Sequence, residues 1–88
     1  MAGKSRVANA HSVQAQDLGR LDELLEQLRN EAGEQCALLR EHLESARIYL
    51  AGSMPEEYAL SLTMAAETVN CVSDPHLRKR ITDFIHGV

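Results

Sequence analysis

The run Gly52-Ser53-Met54-Pro55-Glu56-Glu57-Tyr58 constrains this chain more than any other feature. Gly52 can take the left-handed conformation that ends a helix. Ser53-x-x-Glu56 has the spacing of a capping box, in which each side chain satisfies the other's orphan amide. Pro55 then falls in a first helical turn, where its missing N–H costs nothing. Stop and start signals this close together predict a tight turn between two helices that fold back on one another as an antiparallel pair.

Upstream of the turn, Leu18, Leu21, Leu25, Leu28 and Ala32 recur at spacings of three and four, which places them along one helical face. After Gly33 the stripe drifts onto Cys36, Leu39, Leu43, Ala46 and Leu50, as expected when 3.6 residues per turn outrun a strict heptad. The pattern predicts one long helix over residues 17–51, roughly 52 Å at 1.5 Å per residue, with Gly33 as the point where it can bend. Residues 1–16 are small and polar without a helical stripe, and read as a flexible tail.

Downstream, Tyr58, Leu62, Ala65, Val69 and Val72 form the matching stripe of a returning helix over 54–72. Asp74 is a natural N-cap, Pro75 fits the first helical position, and Leu77, Ile81, Phe84, Ile85 and Val88 share one face of a short third helix over 75–87. The expected fold class is therefore all-α: an antiparallel helical hairpin with a short C-terminal helix, in a single domain spanning 17–88.

Two helices packed only on each other leave apolar side chains over. Leu60 and Met64, with Cys71, lie well round the second helix from its seam, and Leu24 and Leu38 flank the seam of the first. Contiguous exposed apolar surface marks an interface, so Leu24, Leu38, Leu60 and Met64 are the protein-interface candidates. The third helix offers an alternative cover for them, and the pattern does not choose between closing the core and joining an interface.

Composition removes several function classes. A formal charge of −4 argues against a nucleic-acid binder, and Arg78-Lys79-Arg80, without interleaved aromatics, reads as a solvated helical face. No apolar leader and no window of membrane-spanning length is apparent, which predicts a cytoplasmic protein with no membrane partner. Cys36 and Cys71 lack metal-ligand spacing and are expected to be reduced, small apolar side chains, although a meeting across the hairpin stays open. His11, His42, His76 and His86 are scattered, with no nucleophile triad and no phosphate loop, so no enzyme activity, cofactor or metal is expected.

The segments Leu21-Asp-Glu-Leu-Leu25, Leu38-Leu-Arg-Glu-His-Leu-Glu-Ser-Ala46, Gly52-Ser-Met-Pro-Glu-Glu-Tyr58 and Ala65-Ala-Glu-Thr-Val69 together resemble the small helical-hairpin co-chaperones of bacterial type III secretion systems. The resemblance covers about Leu21 to Val72. It implies a non-catalytic partner that stabilises a tetratricopeptide-like chaperone and helps keep the needle subunit unpolymerised in the cytoplasm. Helical pattern alone equally admits a homo-oligomeric structural or regulatory bundle built by pairing the same surplus faces.

Overall fold

The computed structural model describes the backbone of residues 2–87 and the side chains of residues 15–87. Among these residues the chain is all-α: α1 (Ala2–Leu28), α2 (Glu34–Ala51), α3 (Pro55–Thr68), a single 3₁₀ turn (Val69–Cys71) and α4 (Pro75–Ile85). The segment expected as a tail belongs to α1 from Ala2 onward.

The long first helix is instead two helices. The amides of Arg29, Asn30 and Glu31 reach back only three residues, to the carbonyls of Glu26, Gln27 and Leu28 (3.3, 3.4 and 3.0 Å), so the end of α1 tightens and stops. Gly33 follows at φ 106°, open to glycine and strained for other residues, and its carbonyl accepts the first bond of α2 from Ala37 at 3.1 Å. The chain thereby reverses instead of bending, and α1 lies back along α2, with Arg47 of α2 paired to Asp22 of α1. Ala32, placed in the seam by periodicity, is exposed in the connection.

The α2–α3 hairpin forms at the expected turn by a different local mechanism. Gly52 sits at φ −87°, ψ 4°, and the left-handed residue is Ser53 at φ 57°. The Ser53 amide donates to the Leu50 carbonyl (3.1 Å) and the Met54 amide to the Tyr49 carbonyl (2.9 Å), the paired bonds of a Schellman motif with Ser53 at C′. Met54 is the N-cap of α3, and no side chain caps that helix. The Ser53–Glu56 capping box is therefore absent, because a serine committed to closing the preceding helix is not placed to open the next. Pro55 does occupy the first turn of α3.

The returning helix stops at Thr68, earlier than its stripe suggests. A 3₁₀ turn carries the chain to Val72, which is extended (φ −75°, ψ 120°) and fully buried. Asp74 then caps α4 as expected, its Oδ1 accepting from the His76 amide at 2.9 Å, with Pro75 in the first turn. The buried face of α4 consists of Leu77, Ile81 and Phe84. These join Leu21, Leu24 and Leu28 of α1 and Leu39 and Leu43 of α2 in one core, so this helix closes the core internally. Surface contacts repeat the α1–α4 pairing: Arg80 reaches Gln27 (2.9 Å) and Glu23 (3.6 Å), and the Arg20 guanidinium lies 4.9 Å from the centre of the Phe84 ring.

Cys36 and Cys71 are joined in a disulfide, with their Cα atoms 5.5 Å apart, which corrects the expectation of two free thiols. The bond ties the first turn of α2 to the 3₁₀ turn after α3. It closes the open end of the hairpin opposite the Gly52–Met54 turn.

Candidate interaction surface

Burial divides the four candidate interface residues. Leu24 is only 3% exposed, because the apolar face of α4 packs over it; it is a core residue and leaves the candidate set. Leu38, Leu60 and Met64 remain 44%, 61% and 41% exposed. Leu60 and Met64, four apart on α3, lie one turn from each other on a single face.

Two further exposed apolar residues escaped sequence reasoning. Ile48, in the last turns of α2, is 66% exposed, and Met54 is exposed in the turn itself. In the antiparallel register that joins position 36 to position 71, Ile48 lies about level with Leu60. The available signal was that Ile48 falls outside the Cys36–Leu39–Leu43–Ala46 stripe, and a branched apolar residue off the stripe has no core to enter. The turn end of the hairpin thus carries Ile48, Met54 and Leu60, with Met64 one turn further along α3.

The hairpin-turn residues have distinct roles. Gly52 and Ser53 shape the backbone; Pro55 and Glu56 are exposed in the first turn of α3. Tyr58 is half-buried and packs against the core. Burial, and secondarily the Asp17 carboxylate, hold the Tyr58 phenol above its ordinary value, while Arg20 opposes the effect. Tyr58 therefore serves as a packing contact beside α1.

Several charged groups pair with one another across and along the helices. Arg47 gives two hydrogen bonds to Asp22, the longer at 3.4 Å, and this pairing raises the guanidinium above its ordinary value. Lys79 pairs with Asp83 at 2.8 Å on α4. The cleft between α1 and α4 is lined by Arg20, Glu23, Leu24, Arg80 and Asp83, and Arg80 is shared there between Glu23 and Gln27. Among the described residues, no group of three or more His, Cys, Asp or Glu side chains is placed to hold a metal ion. His42 is partly buried on α2, His76 and His86 are exposed at the two ends of α4, and the side chain of His11 lies outside the described residues. Among the described residues, no helix is long and apolar enough to cross a membrane.

What this arrangement offers is a closed core with apolar side chains left on the outer surface of the α2–α3 hairpin. The chain matches no protein-family model, no curated protein and no solved structure.

Proposed function

We propose that this chain is a non-catalytic protein-binding module that presents the exposed apolar residues of its α2–α3 hairpin to a partner. The observation that carries this reading is the exposure of Leu38, Ile48, Leu60 and Met64 on a domain whose core is already closed by α4. Single exposed apolar residues are ordinary on any surface, but several large ones on one hairpin of a small domain favour an interface. Burying them against a groove would add several kcal/mol at about 25 cal/mol per Å², before association entropy is subtracted.

The resemblance of the hairpin segments to type III secretion co-chaperones narrows the partner to a helical-repeat chaperone and, through it, a needle subunit. In that reading the chain works in the cytoplasm and stabilises its partner by mass action. Disulfides persist mainly in oxidising compartments, so a cytoplasmic role requires that the Cys36–Cys71 bond be reducible.

The test is the double variant Leu60→Glu/Met64→Glu. It should retain the helical circular-dichroism spectrum and lose binding to a purified tetratricopeptide-type secretion chaperone. Loss of helicity would make these residues structural and remove the interface assignment. A parent chain that is a stable dimer at every concentration by light scattering, and that binds no such chaperone, would place the surface between copies of the chain instead.

A further inference from the structure

The disulfide sits where one crosslink can govern one helix. Cys71 immediately precedes buried Val72 and lies four residues before Pro75, where α4 begins. Through Cys36, this start of the C-terminal segment is fixed to α2. Beyond that point α4 is an eleven-residue helix, too short to be stable alone in water. The segment is held by buried Val72, Leu77, Ile81 and Phe84, with Ile85 partly buried, by the Arg20 guanidinium over the Phe84 ring, and by contacts between exposed groups: Arg80 with Glu23 and Gln27, and Ser73 with Glu31 at 3.3 Å. Such exposed contacts are weak. The bond from the Arg78 guanidinium to the Val72 carbonyl lies within the segment and would move with it. The α2–α3 hairpin, by contrast, has its own closing motif and a continuous buried seam through Leu39, Leu43 and Ala46 against Leu62 and Ala65.

The two sulfurs are unequal. Cys36 is fully buried, whereas residue 71 is partly exposed at the edge of the core, so a reductant reaches the bond from the Cys71 side. Cys36 is the third residue of α2, a helix whose N-terminus has no side-chain cap. A thiolate leaving from Cys36 thus forms at the positive end of the α2 dipole, which offsets part of the cost of placing that charge in a buried site.

We infer that the Cys36–Cys71 disulfide is a redox latch on the C-terminal segment, opened by a dithiol reductant. One thiolate of the reductant attacks the Cys71 sulfur, breaking the bond to Cys36 and releasing the Cys36 thiolate, which takes up a proton. The second thiolate of the reductant attacks its own sulfur in the mixed disulfide and releases Cys71. Two electrons pass to the protein sulfurs, and the dithiol becomes a disulfide. With the latch open, residues 72–87 detach as a unit while α2–α3 stays paired, and the face of α1 beneath α4, including Leu21 and Leu24, becomes accessible.

The experiment is amide hydrogen exchange by mass spectrometry on the full chain, with and without dithiothreitol, the thiol state being fixed by alkylation and intact mass. Reduction should accelerate exchange in residues 72–87 at least tenfold more than in α2–α3, and trypsin should then cut first at Arg78, Lys79 or Arg80. The Cys36→Ala/Cys71→Ala variant should show the reduced pattern with or without dithiothreitol. Three results would each overturn the inference. One is a chain that keeps two free thiols under oxidising conditions; another is unchanged exchange in 72–87 after complete reduction. The third is equal acceleration in all four helices, which would make the crosslink a brace of global stability alone.

Discussion

Cys36 and Cys71, separated by 35 positions in sequence, are covalently joined between the first turn of α2 and the 3₁₀ turn that follows α3. The crosslink closes a loop made of one helical hairpin, and its largest effect on folding is to restrict the unfolded chain. For a loop of this length, chain entropy gives about 3–4 kcal/mol. The Cys36→Ala/Cys71→Ala variant should lose stability by that amount in urea unfolding, and dithiothreitol should leave its midpoint unchanged while lowering that of the parent.

Ser53 adopts a left-handed backbone that costs a residue with a Cβ about 1 kcal/mol and costs glycine almost nothing. Ser53→Gly should raise the melting temperature, corresponding to about 0.5–1 kcal/mol of added stability. Ser53→Val, β-branched at positive φ, should lower it by more than that. Equal melting points for parent and Ser53→Gly would show that the turn closes in another way.

Leu24 and Leu60 were indistinguishable as surplus apolar residues and are opposite in burial. Leu24→Ala should cost about 2–4 kcal/mol, through lost transfer energy and a cavity between α1 and α4. Leu60→Ala should change stability by no more than about 0.5 kcal/mol. Parallel denaturant titrations of the two variants separate the core from the proposed binding surface.

Tyr58 holds its proton above the ordinary phenol range because burial, and then Asp17, disfavour the charged form. The folded value is raised above the unfolded one, so this group's contribution to stability is fully present below about pH 10 and is lost as pH rises through the folded value. Ultraviolet titration should show a phenol ionising later than a free tyrosine, and Tyr58→Phe should remove that transition. The same substitution should reduce the loss of stability on going to strongly alkaline pH.

The local grammar of the chain was legible from residue types alone. Asp74 and Pro75 start α4, Pro55 starts α3, and the stripes name the buried faces of α2 and α3, because capping chemistry and helical period act within a few residues of themselves. Periodicity says which face is apolar but not what will cover it. The Leu18–Leu28 and Cys36–Leu50 stripes suit one long helix as well as two that fold together. Only the packing of α1 on α2 and α4 favours stopping at Leu28 and reversing at Gly33.

Two assignments therefore belonged to the tertiary structure, the division of the surplus apolar residues and the meeting of the cysteines. Leu24 is core, at 3% exposed, beside the apolar face of α4, whereas among the described residues Leu60 and Met64 stay 61% and 41% exposed. Ser53, rather than Gly52, takes the left-handed position through local bonds that close on Leu50 and Tyr49, a choice residue types alone did not make. Cys36 meets Cys71 because the antiparallel register brings the two ends of the hairpin together. The sequence by itself determined that the chain is helical, where the α2–α3 turn and the start of α4 fall, and which faces are apolar, since those follow from interactions between near neighbours. Which apolar faces are covered, and which cysteines meet, was decided by contacts between residues tens of positions apart.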